Sequence, residues 1–152
     1  MKRLLFLVFL SVSLVSCASC SKNTVTSENN NNTNPTGSKM KIRIANSIFR
    51  ATLYDNATAA AFKSLLPLTV NMIELNDNEK YVDLPRSLPA KASNPGTIQN
   101  GDLMLYGSST VVPFYKTFST SYNYTTLGRI DNPSALAAAL GSKNVTVTFE
   151  GE

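Results

Sequence analysis

The sequence contains no histidine and no tryptophan, and its only cysteines are Cys17 and Cys20. Without an imidazole, the chain can form neither a Ser-His-Asp triad nor a Cys-His dyad nor a histidine-ligated metal site. Because both cysteines lie within the first twenty residues, no disulfide framework can cross-link the rest of the chain. No other group of side chains has the density or spacing of a metal site. We therefore expect neither a metal nor a cofactor.

Charged residues are also few, at 16% of the chain, whereas 43% is hydrophobic. This balance allows a buried core and excludes disorder throughout the chain. The formal net charge of +4 falls to +2 when Lys2 and Arg3, which belong to a predicted leader, are left out. The remaining basic residues are scattered singly, whereas a nucleic-acid-binding surface needs them clustered. We therefore expect no nucleic-acid partner.

Residues 1–16 have the features of a bacterial lipoprotein signal peptide. A positively charged start precedes about twelve apolar residues, which are too few for a membrane-spanning helix. The following segment, Leu14-Val15-Ser16-Cys17, resembles the lipobox of bacterial lipoproteins. The resemblance implies that Cys17 carries a diacylglycerol and anchors the protein in a membrane. The alternative is an ordinary secretory signal followed by two incidental cysteines.

The lipobox resemblance implies the bacterial cell envelope as the location of the protein. Ala18 stands after Cys17 where an aspartate would signal inner-membrane retention, so we expect the outer membrane. Residues 17–38 are rich in Asn, Ser and Thr and include four consecutive asparagines at 29–32. Such a segment buries too little apolar area to offset its ordering entropy. We predict a disordered tether.

Residues 39–152 are predicted to form one mainly β domain, because apolar and polar residues alternate along most of its segments. About eight strands and two short helices favour a closed barrel with a helix over each end. The loop 85–101 contains three prolines, and 117–126 is predicted as a loop plus an edge strand. The predicted strands are 40–44, 48–54, 68–75, 80–84, 102–106, 111–115, 127–130 and 144–150, and the predicted helices are 57–66 and 133–140.

The order of these elements resembles the cyclophilin-like barrel. The segment 53–65 resembles the cyclophilin strand that leads through a loop into the first helix. Segments 101–107 and 113–115 resemble the paired strands beside the ligand groove, and 127–130 resembles the stretch before the last helix. The segment 79–85 is similar to one in compact bacterial cyclophilin-like proteins. The resemblance covers about residues 40–150 and implies a cyclophilin-like domain.

The chain departs from true cyclophilins at the residues that perform catalysis. It has no Trp, no His and neither the Phe-His-Arg nor the Gln-Gly-Gly-Asp segment. Prolyl isomerisation needs a groove for the proline ring and a donor to the prolyl nitrogen, a task to which arginine is suited. None of the candidate arginines of the mature chain stands in either of these two segments; the candidates are Arg43, Arg50, Arg86 and Arg129.

Candidate residues for a ligand groove follow from the resemblance and from the aromatic content. They are Phe114, Tyr106, Phe62 and Arg129. Phe114 is the residue carried over as a groove aromatic, with plain barrel core as the alternative. Four tyrosines of the same region either line an aromatic surface that is exposed to water or are ordinary surface residues of strands. They are Tyr106, Tyr115, Tyr122 and Tyr124.

Three acidic residues are also candidates for a functional role. On a strand, Glu79 and Asp83 share one face about 13 Å apart, which is too far for a shared-proton dyad. A solvated turn is the expected setting. Asp102, which follows Gly101, either caps a turn or binds a ligand, and capping is favoured.

Three functions remain open. The first is a non-catalytic barrel at the envelope that binds a peptide or a small molecule. The second is a weak extracytoplasmic peptidyl-prolyl cis-trans isomerase, and the third is a structural accessory lipoprotein. In each case we expect a monomer attached to the membrane through the lipid on Cys17.

Overall fold

The computed structural model describes residues 34–152. The predicted signal peptide, the lipid attachment site Cys17 and most of the predicted tether lie outside these residues. From residue 34 onwards, none of the helices has the length and the apolar character that crossing a bilayer requires.

The described chain alternates strands with two short helices. The strands are β1 (Lys39–Ile44), β2 (Ser47–Leu53), β3 (Leu68–Leu75), β4 (Glu79–Asp83), β5 (Thr97–Ile98), β6 (Asp102–Tyr106), β7 (Thr110–Pro113), β8 (Phe118–Ser119), β9 (Thr125–Ile130) and β10 (Val145–Gly151), and the helices are α1 (Ala57–Lys63) and α2 (Leu136–Leu140).

Eight strands close into an antiparallel barrel in the order β1-β10-β3-β4-β7-β6-β9-β2. The predicted mainly β closed barrel is therefore confirmed. The two remaining strands, β5 and β8, pair with each other in a separate small sheet. The strand β5 was missed within the predicted loop 85–101, because a two-residue strand leaves no alternation to detect.

The two helices close opposite ends of the barrel. Helix α1 connects β2 to β3, and α2 connects β9 to β10; because β2 and β9 are antiparallel, the helices lie at opposite mouths. Phe62 of α1 packs edge-on against Phe149, with the ring centroids 5.5 Å apart. Leu136 and Leu140 of α2 join the same interior cluster. Burial of these apolar side chains is the main stabilising term for helices too short to be stable alone.

Both helices are shorter than predicted. Helix α1 ends at Lys63, because the Leu65 and Leu66 N–H groups donate to carbonyls three residues back, as in a tighter turn. Pro133 starts a turn rather than the helix itself, and the helix begins at Leu136, whose N–H donates to the Pro133 carbonyl at 3.0 Å. At its far end Gly141 has a φ of 61°, which suits glycine at a helix terminus.

Within the described residues, hydrogen bonds to the barrel begin slightly before β1. Within the predicted tether, the Gly37 N–H donates to the Leu53 carbonyl at 2.9 Å. The Leu53 N–H in turn donates to the Ser38 carbonyl at 2.8 Å. These two bonds extend the pairing of β1 with β2, so the last residues of the predicted tether contact the barrel.

A buried lysine fixes the end of the barrel beneath α2. Lys80 of β4 is 0% exposed, and its ammonium group is paired with the carboxylate of Glu74 directly opposite on β3. The same ammonium donates to the carbonyls of Gly141 at 2.7 Å and Lys143 at 2.8 Å. The Tyr115 hydroxyl donates to Glu74 at 2.8 Å. All three ammonium protons are thereby used, which a buried charge requires.

We predict that Lys80→Met destabilises the protein by about 3–5 kcal/mol, because Glu74 loses its counter-ion and two carbonyls lose their donor. Denaturant unfolding monitored by circular dichroism measures the change. Lys143→Met, which removes an exposed ammonium group nearby, is the matched control and should change stability by less than about 0.5 kcal/mol. Equal effects of the two substitutions would refute a structural role for the buried ammonium.

Candidate ligand-binding groove

A second apolar cluster lies outside the barrel, on the outer face of β4, β7 and β6. Along β6, Leu103 and Leu105 point into the barrel whereas Met104 points out, as the alternation of a strand requires. Val112 of β7 is paired with Met104 and shares this outer face. The buried members of the cluster are Ile98, Met104, Val112, Phe114 and Tyr124, with Tyr81 and Phe118 packed against them.

Residues 117–124, which we call the covering segment, lie across this cluster. Hydrogen bonds hold the segment at several points: β8 pairs with β5, the Thr120 N–H donates to the Gly96 carbonyl at 2.9 Å, and Tyr124 forms a bridge with Ser93. The covering segment is therefore fixed to the loop 85–101 rather than free.

A groove runs between the covering segment and the outer face of β4 and β7. Its cavity volume is about 550 Å³, which lies within the range of small-molecule sites. The Asn76-Asp77 turn closes one end, and its two residues adopt φ values of 55°, a conformation that Asn and Asp tolerate well. The lining residues are Leu75, Asn76, Asn78, Glu79, Tyr81, Asp83, Tyr106, Thr110, Val112, Phe118, Ser119, Thr120, Ser121, Tyr122 and Tyr124.

Tyrosine rings form much of the groove wall. The Tyr106 ring lies 6.2 Å from that of Tyr122 and 5.6 Å from that of Tyr124, at interplanar angles of 85° and 53°. Tyr106 and Tyr122 are 47% and 62% exposed, so their rings are accessible to a ligand. Aromatic rings set at steep angles to one another present both faces and edges to the enclosed space.

Glu79 is the acidic residue of the groove that is removed from solvent. It is 9% exposed and stands opposite Phe114 in an antiparallel bridge. Burial raises the pKa of the Glu79 carboxyl to about 7, and the nearby charge of Glu74 adds to the increase. Burial, followed by the charge of Glu79, likewise raises the pKa of Tyr124 to about 12. The carboxyl is therefore poised to change its charge near neutral pH.

Asp83 lies at the other end of the same strand face. It is exposed, and it accepts a hydrogen bond of 2.5 Å from the Thr110 hydroxyl. Glu79 and Asp83 thus share one face of β4, as a strand predicts. The expected solvated turn does not describe Glu79, because this residue is largely buried on β4 opposite Phe114.

The structure brings one of the four predicted groove residues, Tyr106, to the cavity wall. Phe114 is 0% exposed and lies beneath the groove, where its ring contacts Phe118 at 5.7 Å and Tyr124 at 5.5 Å. It supports two lining residues without lining the cavity itself. Tyr122 and Tyr124 also reach the wall, whereas the Tyr115 hydroxyl bonds to Glu74 at the barrel end.

Phe62 and Arg129 lie away from this groove. Phe62 is in the barrel interior beneath α1. Arg129 on β9 lies 3.9 Å from an Asp102 oxygen and lines a different, polar cavity near Asp131 and Pro133. Asp102 accepts a 2.7 Å hydrogen bond from the Gln99 N–H, so it caps a turn, the favoured of its two interpretations.

The other arginines of the described chain also point elsewhere. Arg43 of β1 pairs with Glu150 of β10 at 3.4 Å, and Arg50 of β2 pairs with Glu152, which follows β10, at 3.3 Å. Arg86 donates to the Ser64 hydroxyl at 3.2 Å. No arginine lines the groove. Across residues 34–152, no group of three acidic, cysteine or histidine side chains is placed to hold a metal ion.

Comparison with known proteins agrees with this architecture. The model of the cyclophilin-like family matches residues 42–150, which span the barrel from β1 to β10. The solution structure of a hypothetical protein from Archaeoglobus fulgidus has a similar fold, with a TM-score of 0.54 at 18% identity over 80% of this chain and 99% of that one. That likeness shows the fold alone. No curated protein matches the sequence significantly.

We predict that Glu79→Gln flattens the pH dependence of stability. The unfolded carboxyl loses its proton near pH 4.5, whereas the folded one keeps it until about pH 7. The free energy of unfolding therefore falls as the pH rises through this window, and glutamine, which stays neutral, avoids the loss. The difference in the free energy of unfolding between the variant and the native protein should therefore shift in favour of the variant by about 2 kcal/mol from pH 5 to pH 8.

Denaturant unfolding at the two pH values measures this difference. Glu150→Gln, the same substitution at a partly exposed carboxylate paired with Arg43, is the control and should not become relatively more stable at pH 8. If Glu79→Gln behaved like the control, Glu79 would be solvated in the folded protein.

Proposed function

Because the chain belongs to the cyclophilin-like family, we propose that it is a non-catalytic binding barrel whose outer groove holds a peptide or a small molecule. The observation that carries this proposal is the groove itself: a cavity of about 550 Å³ with aromatic walls and a shielded carboxyl group. Apolar cavities with a few converging polar groups are the usual form of ligand sites.

The groove is formed before any ligand arrives. Its floor consists of barrel strands whose two neighbours are both hydrogen-bonded, and its roof is held to the loop 85–101 by backbone hydrogen bonds. A rigid site loses little conformational entropy on binding. This preorganisation favours a binding function over a purely structural one.

The shielded Glu79 supports the same choice. An ionised carboxyl in an apolar setting costs stability unless it is paired, and a protein with a purely structural role gains nothing from keeping it. Groups that are costly to the fold are typical of functional sites. This argument favours ligand binding over the structural accessory role.

The distribution of arginines argues against an isomerase. Stabilising the twisted prolyl amide needs a donor aimed at the prolyl nitrogen, and removing such a donor typically costs 10²–10³-fold in rate. The four arginines of the described chain are engaged with Glu150, Glu152, Ser64 and Asp102, away from the groove. The charged side chains that do line the groove are acidic.

Thermal shift of the purified protein tests the binding function. The probes are a panel of neutral, cationic and anionic small molecules together with an alanine–proline tetrapeptide. We expect at least one probe to raise the melting temperature, as any ligand selective for the folded state does. Ser121→Trp, which fills the groove from the covering segment, should abolish the shift, whereas Ser134→Trp, on the exposed turn before α2, should not.

The tetrapeptide also tests for catalysis. We expect its cis-trans isomerisation in the presence of the protein to proceed at the rate of the peptide alone. Turnover at a rate typical of cyclophilins that Ser121→Trp abolishes would refute the non-catalytic assignment. A complete absence of thermal shifts, or shifts that survive in Ser121→Trp, would instead refute the groove as the binding site.

We also propose that the barrel is held at the bacterial cell envelope, in the outer membrane, by a lipid on Cys17. The support is the lipobox-like segment 14–17 and the polar tether that follows it. A flexible tether of this composition allows the barrel to stand off the membrane surface. Two or three acyl chains give stable anchoring, because each buried methylene contributes about 0.8 kcal/mol.

We predict that Cys17→Ala prevents both processing and membrane attachment, since the thiol accepts the lipid and the lipoprotein peptidase requires the modified cysteine. Metabolic labelling with a radioactive fatty acid, followed by membrane fractionation, measures both effects. Cys20→Ala is the matched control and should label and fractionate like the native protein. Unchanged labelling of Cys17→Ala would rule out the lipid anchor at this position.

A further inference from the structure

The groove has a negative charge with no compensating positive charge. Among its lining residues, Glu79 and Asp83 are acidic, and none is lysine or arginine. The neighbouring Lys80 does not compensate, because it points to the opposite face of β4, where its three protons are already engaged. A cation that enters the groove therefore meets no repelling group.

The carboxyl group of Glu79 has no hydrogen-bond or ion-pair partner among the described residues. The residue is nine-tenths buried. Nearby, the side-chain oxygen of Asn78, another lining residue, is buried and accepts no hydrogen bond from the described chain. A largely buried carboxylate without a donor or counter-ion is costly, so the Glu79 carboxyl group, which lines the groove, favours a donor or a cation from outside.

The aromatic walls suit a cation equally well. Tyr81, Tyr106, Tyr122 and Tyr124 line the same cavity as Glu79, and the rings of the last three meet at steep angles. The face of an aromatic ring carries negative potential and attracts cations, and aromatic cages of this type recognise quaternary ammonium groups. The walls and the floor thus favour the same kind of ligand.

We propose that the groove binds a small organic ammonium ion, with the tyrosine rings enclosing the cationic group and the Glu79 carboxylate neutralising it. This inference rests on the proposed binding function and names the class of ligand for the same groove. The cavity volume matches a small molecule. The floor strands are internal to a closed barrel, so no free strand edge is available there for pairing with an extended peptide.

Binding of such a cation depends on pH, because Glu79 must be ionised. The other ionisable groups around it are Asp83 on its own strand, Glu74 on β3, and the hydroxyls of Tyr115 and Tyr124, all of which are neutral or negative. Burial and the charge of Glu74 disfavour ionisation of Glu79 in the empty groove and raise its pKa to about 7. Affinity should therefore increase as the pH rises from 6 to 8.

The experiment compares two probes of nearly equal shape, choline and its neutral carbon analogue 3,3-dimethyl-1-butanol. Isothermal titration of the purified protein at pH 8 measures both dissociation constants. We expect choline to bind more tightly by roughly tenfold, because only the cation interacts with the ring faces and the carboxylate. The preference should shrink at pH 6.

Two substitutions separate the contributions of charge and ring. Glu79→Gln should remove most of the preference for choline and its pH dependence, whereas Glu150→Gln should leave both unchanged. Tyr122→Leu keeps an apolar wall without the ring and should weaken choline binding several-fold while sparing the neutral analogue. Circular dichroism and melting temperature establish that each variant is folded.

Equal affinity for the two probes, or tighter binding of the neutral one, would overturn the ammonium proposal while leaving the groove as a binding site. No detectable binding of choline at any pH between 6 and 8 would also overturn it. A preference for choline that persists in Glu79→Gln would refute the role of the carboxylate. The thermal-shift comparison with Ser121→Trp tests the broader binding function separately from the ammonium proposal.

Discussion

The buried ammonium group of Lys80 is the constraint on which the arrangement of the groove depends. A charged group can be excluded from water only where every proton finds an acceptor, and Lys80 finds Glu74 and the carbonyls of Gly141 and Lys143. This set of contacts ties β4 to β3 and to the chain after α2. Because side chains alternate along a strand, the position of Lys80 also decides that Glu79, Tyr81 and Asp83 point outward.

Two ionisable neighbours on β4 therefore have opposite roles. Lys80 is completely buried and completely paired, and it stabilises the barrel end. Glu79 is almost as buried but unpaired, and burial raises its pKa to about 7. One strand thus combines a satisfied charge that defines the fold with an unsatisfied one that gives the outer groove its chemistry. The aromatic cluster around Phe114 packs on the face of β4 that carries Glu79, opposite the face that carries Lys80.

The groove lies on the outside of the barrel, so the packed interior does not depend on the side chains that line the groove. In this chain the arginines form ion pairs and hydrogen bonds elsewhere, including Arg43 and Arg50 with the end of the chain. The groove has aromatic walls, and its charged side chains are acidic rather than basic. These side chains support the proposed recognition of a cation rather than polarisation of a prolyl amide.

The sequence by itself determined the strands of the barrel, because alternation of apolar residues along β1, β3 and β10 is a local property and gives their positions to within one residue. It also indicated Tyr106 as a groove residue and capping by Asp102. Only the tertiary structure decided where Phe62, Phe114 and Arg129 lie and that Glu79 is shielded. Glu79 is buried beside Phe114 and Tyr124, which follow it by more than thirty residues in the chain. The inward face of β4 is set by the contacts of Lys80 with β3 and with the chain after α2. Such long-range contacts form only when the barrel closes, and no local pattern of residues records them.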